Sequence, residues 1–288
     1  MARLEPTVQS GSLLKLYQAL WAPYYQAVLN VLGSTGIILP IGDPHHGQPN
    51  ATTFTTKGEE QVTFTWSEAP GSFDTPLDLT GPDSFQGIVP VVTLNGTDEE
   101  ADSPDAAFWS VDDSGDNGFS LGIWVNIGSG GAGSDRALLS KWSTTGGAQE
   151  WLWYLNTANA LRLDARDRSV GVVASRTSDA NPTTNVWHHY VMTYDGTGGA
   201  TAADGITFYE DGAVVASTAA NNGSYVAMEN QTAALGLGAY QTGSLGLFDG
   251  KIGGGPLGPW FVTHNTAGII TPDEVRTLYD LGRAALAL

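Results

Sequence analysis

From about residue 90 onward the chain is a succession of short apolar, β-branched and aromatic runs. The runs are "IVPVVTLNG", "FSLGIWVNI", "RALLSKW", "EWLWYLNT", "ALRLDAR", "VGVVASR", "WHHYVMTYD", "ITFYEDG", "AVVAS", "AALGLGAY", "FDGKIGG" and "GPWFVTH". Gly-rich and Asp-Gly turns separate them, and no helical period intervenes until "TPDEVRTLYDLGRAALAL" at the end. Parallel strands need long crossovers, usually helical, and this spacing leaves no room for them. The pattern therefore implies an all-β, antiparallel two-sheet sandwich. The 37 glycines in 288 residues fit a chain with that many turns.

The first 89 residues have a different texture. Residues 12–32 carry the one long helical pattern, with Leu13, Leu16, Leu20, Tyr24 and Val28 at three-to-four spacing. Ser12 caps its start, Gly33 ends it, and Pro23 is expected to kink or divide it. So wide an apolar stripe needs a partner, and an oligomer or docking role is assigned to those five residues. Residues 33–89 are rich in Pro, Gly, Ser and Thr, and only "QVTFTW" alternates as a strand. The expected division is an attachment arm, 1–89, followed by a compact domain, 90–288. In the terminal segment Thr271 caps a short helix, Pro272 takes its first position and acids follow in the first turn.

The formal net charge of −18 makes nucleic acid and anionic membranes poor partners. There is no cysteine, so disulfides and thiolate metal sites are excluded. The N-terminal stretch has neither a secretory signal pattern nor an apolar run that would span a membrane, so the expectation is assembly in a cytoplasm.

The adjacent histidines in "VWHHYVMTYDG" belong to one alternating strand. Trp187, His189, Val191 and Thr193 share one face; His188, Tyr190, Met192 and Tyr194 share the other. The two imidazoles point apart, so they cannot chelate one ion together, and packing roles are expected. "GDPHHG", with Asp43, His45 and His46, reads as a turn. "EWLWYL" places Trp151 and Trp153 on one face, either as core or as a glycan platform.

In their order along the chain, several segments resemble the concanavalin A-like lectin/glucanase superfamily, and within it the laminin-G-like jelly roll. They are "VVTLNGTDEEADSP", "GFSLGIWVNI", "RALLSKW", "NVWHHYVMTYDG" with "ITFYEDGAVVAS", "LGLGAY" with "GLFDGKIGG", and "ITPDEVRTLYDLG". The resemblance implies a jelly roll over residues 90–288. It also implies a structural Ca²⁺ near the early Asn/Asp-Gly turn, where Asn95 and Asp98 stand. The late strand departs from the family pattern, with Gly253 and Gly254 at the acidic positions, and Asp249 is the substitute ligand. The family's glucanases carry a Glu-x-Asp-x-(x)-Glu strand; this chain has only isolated acids, Glu150 and Asp164, on the relevant strands, so no enzyme is expected.

Two functional readings remain. The first is a non-enzymatic structural protein of a bacteriophage virion, a decoration, capsid-accessory or tail component. It would be displayed on the particle surface as a homo-oligomer, with a trimer as the guess, beside other virion proteins and with possible glycan contacts through Trp151 and Trp153. The second is a free carbohydrate-binding module of a bacterial surface protein, with a glycoside hydrolase ranked behind both.

Overall fold

The computed structural model describes residues 10–43, 51–58, 60–68, 72–73, 89–111, 117–131, 133–240, 245–263 and 269–286, with side chains from Trp21 onward. A long helix α1 (Ser10–Leu32) leads into β1 (Gly36–Ile38), β2 (Thr53–Thr55), β3 (Lys57–Gly58) and β4 (Thr63–Trp66). Then come β5 (Val91–Asn95), β6 (Ala101–Ser103), β7 (Phe119–Ile127), β8 (Arg136–Trp142), β9 (Gln149–Leu155) and β10 (Leu161–Asp167). After these follow β11 (Val172–Ser178), β12 (Trp187–Tyr194), β13 (Ile206–Glu210), β14 (Ala213–Val214) and β15 (Ser217–Ala220). The chain closes with β16 (Leu235–Leu237), β17 (Asp249–Gly253), β18 (Trp260–Thr263) and helix α2 (Pro272–Leu286).

The strands form two antiparallel sheets. The first runs β14-β13-β12-β7-β18-β1-β3, with β17 pairing along the far part of β7 and β5 pairing on β17; the second runs β15-β11-β10-β9-β8-β16-β6-β4-β2. Alternation sorts the faces as expected. Phe119, Leu121, Ile123, Val125 and Ile127 of β7 and Tyr190, Met192 and Tyr194 of β12 face the second sheet's Leu155, Leu161 and Leu163 in one core. Burying each such large apolar side chain is worth about 1.5–3 kcal/mol.

The outer face of the first sheet is covered by both helices. Trp21, Tyr25, Val28 and Leu32 of α1 and Val275 and Leu278 of α2 pack on Ile38, Val191, Tyr209, Trp260 and Val262. Gly122 makes room for the Trp260 ring, which a Cβ there would overlap. A capping box starts α2: Thr271 N donates to Glu274 Oε2 (2.7 Å), and Glu274 N donates to Thr271 Oγ1 (3.3 Å).

Three expectations about the first 89 residues change. The helix is not divided at Pro23, whose ring is solvent-exposed. The boundary at residue 90 does not divide the structure. β1 sits between β18 and β3 in the first sheet, and β4 pairs with β6 in the second. Ile37, Leu39, Ile41, Phe54, Phe64 and Trp66 all lie in the main core. Val28 and the half-buried Tyr24 face this chain's own Trp260, His189 and Leu278, so these two are not free to form an assembly stripe. The side chains of Leu13, Leu16 and Leu20 lie outside the described residues, as do His45 and His46.

Candidate functional site

With helices over the first sheet, the candidate surfaces are the outer face of the second sheet and the loop rim at its β8 start, where a cavity opens. Trp151 and Trp153 do not reach either one. Both are fully buried, with Trp151 stacked on Phe261 at 5.9 Å and its Nε1 donating to the Trp109 carbonyl (3.3 Å). The glycan role expected for this pair is therefore corrected: alternation put them on one face, and that face is the core.

The opposite face of β9 carries Leu152 and Tyr154, which cluster with Trp142, Ala137 and the half-buried Val173 and Tyr240. Beside them Tyr154 Oη donates to Asp164 Oδ2 (3.1 Å) and Arg162 Nε donates to Asp164 Oδ1 (2.6 Å). Burial raises the Asp164 carboxyl above its usual range, against the pull of Arg162. Burial and the Asp164 charge hold the Tyr154 proton on.

This polar-aromatic strip runs to a rim cavity of about 420 Å³. Asn95, Gly96, Gly130, Gly131, Ser134, Asp135, Arg136, Leu245, Gly246, Leu247 and Asp249 line it. Asp135 joins the two parts, since its charge acts on Tyr154, Asp164, Arg162 and Tyr240. Its own carboxyl is raised by burial. Arg136 is 1% exposed; Nη1 donates to the Gly128 carbonyl (3.0 Å), Nη2 to Asn159 Oδ1 (2.9 Å), and Nε has no partner. A Cβ at Gly128 or Gly130 would run into the Asp249 carboxylate, so glycine there lets the acid lie against the loop backbone.

The expected calcium ligands do come close together. Asn95 and Asp249 are register partners across β5 and β17, and Asn95 Nδ2 donates to Asp98 Oδ1 (2.9 Å). Ca²⁺ takes six to eight oxygens, and these three side chains alone supply only part of such a shell. Asn95 Oδ1 already accepts from the Thr97 and Asp98 amides (2.8 and 3.3 Å). Asp98, Asp135 and Asp249 do not converge on one point, and the positive charge beside Asp249 is the Arg136 guanidinium.

The two acids weighed as catalytic candidates each engage a cation. Glu150 is buried against Lys141 Nζ (2.9 Å) and accepts from Gln231 N (2.7 Å); burial pushes its carboxyl up to about 7. Asp164 holds Arg162.

The histidines separate as alternation requires. His189 is buried, stacked on Trp124 (5.1 Å) beneath Tyr279 of α2, and burial drives its pKa down to about 3. His188 faces the other way, toward Glu210 and Asp211, and the Asp211 hydrogen bond raises its pKa.

A laminin-G-type family model, described as the concanavalin A-like lectin/glucanases superfamily, matches residues 95–254, more than half of the chain. The chain belongs to this superfamily. No curated protein sequence matches it. Among solved structures it is similar to the binding domain of botulinum neurotoxin serotype D/C VPI 5993, with TM-score 0.52 and 8% identity over 87% of this chain and 52% of that one. The botulinum neurotoxin serotype D binding domain gives TM-score 0.50 and 8% identity over 88% and 52%. Trypanosoma rangeli sialidase gives TM-score 0.50 and 13% identity over 96% and 39%. This lectin-like jelly roll thus spans about half the length of the toxin domains and less of the sialidase.

Sequence reasoning missed Asp135, Arg136, Tyr154, Arg162 and Tyr240. The signal present was the glycine cluster at 128–133, which marks a close backbone approach.

Proposed function

We propose that this member of the superfamily binds glycans without hydrolysing them. The ligand would lie in the rim cavity and against the half-buried Tyr240 and Arg162, with the buried Tyr154 and Asp164 holding Arg162 from behind. The observation that carries the reading is the rim cavity of about 420 Å³, where Asn95, Ser134, Asp135 and Asp249 meet beside the half-buried Tyr240 and Arg162, while helices cover the outer face of the first sheet. Sugars present apolar ring faces and fixed hydroxyls, and such a mixture of aromatic and hydrogen-bonding groups complements both. Most glycoside hydrolases use two carboxylates flanking the bond, and the two strand acids weighed for that role, Glu150 and Asp164, are each tied to a cation.

A glycan panel probed with the full chain tests this. Bound glycans should lose about tenfold or more in affinity on Asp135→Asn or Tyr240→Ala, while Lys57→Ala, on the far edge of the first sheet, leaves binding unchanged. No binding across the panel, or binding indifferent to both groove variants, refutes the assignment; release of free sugar refutes the non-enzymatic part.

Display on a bacteriophage particle is the second half of the proposal. It is supported by the acidic composition and the absence of cysteine together with a lectin-like fold. Purified particles carrying the gene should contain the chain in fixed stoichiometry, and its absence from them removes this reading.

A further inference from the structure

Away from the groove, β12 and the β13–β14 turn bring His188, Glu210 and Asp211 together. Their ligand-type atoms, one from each residue, lie within 4.8 Å of one another. His188 Nδ1 is 2.9 Å from Asp211 Oδ2 and 3.2 Å from Glu210 Oε1. We propose that these three side chains form a binding site for a divalent transition-metal ion of the zinc type.

The spacing is what a small ion requires. Bonds of about 2.0–2.1 Å in a tetrahedral arrangement put neighbouring ligand atoms roughly 3.3 Å apart. Both nitrogen-to-oxygen separations are close to that edge already, so little movement is needed. One imidazole nitrogen with two carboxylate oxygens suits zinc or its neighbours better than Ca²⁺, which wants a larger shell of oxygens alone. The carboxylates carry two negative charges against one ring, so a dication would neutralise the cluster. Each acid is about one-third exposed, which leaves the remaining coordination positions to water.

The surroundings hold the ligands in place. Asp211 takes a left-handed backbone conformation (φ 52°) ahead of Gly212, and its Oδ1 accepts the His189 amide at 2.9 Å. This leaves Oδ2 turned toward His188. Glu210 is the register partner of Tyr190, two residues along the strand from His188. Tyr190 is 1% exposed, and its hydroxyl lies beside the Glu210 carboxylate, close enough to Glu210 and Asp211 for both charges to act on it.

The test is a zinc titration by calorimetry, using chelator-treated full chain with no added histidine tag. One equivalent of zinc should bind and raise the thermal midpoint, and Ca²⁺ should do neither. Glu210→Gln and His188→Gln should each weaken zinc binding by about tenfold or more. Glu210→Gln keeps the side-chain shape and decides the matter if the histidine variant folds poorly. Absence of binding at about 0.1 mM zinc overturns the proposal and leaves an ion pair only. Equal binding of Ca²⁺, or zinc binding undiminished in Glu210→Gln, overturns it too, the latter moving any site elsewhere, such as His45 and His46.

Discussion

Phe64 decides whether the N-terminal strands are an appendage or part of the domain. It lies on β4, is fully buried, stacks on Phe54 at 5.1 Å with an 8° interplanar angle, and meets Trp109 edge-on at 6.0 Å. Trp109 in turn packs on Phe261 of β18 at 5.2 Å. Truncating such a ring removes its transfer energy and leaves a cavity, a cost of about 3–5 kcal/mol. For a chain of this size that corresponds to a fall in midpoint of roughly 6–20 °C. Urea unfolding of Phe64→Ala, followed by tryptophan fluorescence and by far-ultraviolet circular dichroism, should show one transition, displaced by that amount in both signals. If residues 33–68 merely lay on a self-sufficient domain, the global transition would move by less than about 0.5 kcal/mol. That result, or a separate early transition for the mutant, would refute the shared core.

Glu100 makes stability depend on pH. Burial and the neighbouring Asp102 raise its carboxyl to about 7, and its Oε2 is buried without a partner. The folded state therefore holds a proton that the unfolded state releases near 4.5, so this residue's contribution falls as pH rises from about 4.5 through 7, by on the order of 3 kcal/mol. Glu100→Gln should flatten that part of the pH–stability curve in chemical denaturation; an unchanged slope rejects the assignment. Thr271→Ala removes the α2 capping box and should cost about 1 kcal/mol in the same assay, with no change if the cap is redundant.

The long strands were legible because alternation and turn chemistry act locally. "FSLGIWVNI" and "RALLSKW" match β7 and β8 residue for residue. β1, β2 and β3 escaped because two or three residues carry no period, and β6, Ala101–Ser103, because its acidic "ADS" reads as a turn. Alternation also assigns residues to faces without saying which face is inside. "EWLWYL" offers two tryptophans on one side and Leu152 and Tyr154 on the other, and only the packing of Phe261 and Phe119 against Trp151 settles the choice. The groove was harder still. Asn95, Asp135, Asn159, Arg162, Tyr240 and Asp249 come from five separate stretches, and only the sheet order makes them neighbours. His188, Glu210 and Asp211 meet through the β12–β13 register, which the sequence does not print.

The pairing of β1 with β18 bears on how the chain is made. Gly36 hydrogen-bonds into the sheet opposite Val262, so an early strand finds its place only when a very late one exists. On a ribosome moving at about 5–20 residues per second, Ile37 and Ile38 wait roughly 10–45 s after their own synthesis before their neighbour emerges. During most of that interval α1 and the apolar strands beside it lack the sheet that they cover. A nascent chain stalled before residue 260 should therefore be a better chaperone client than one released complete.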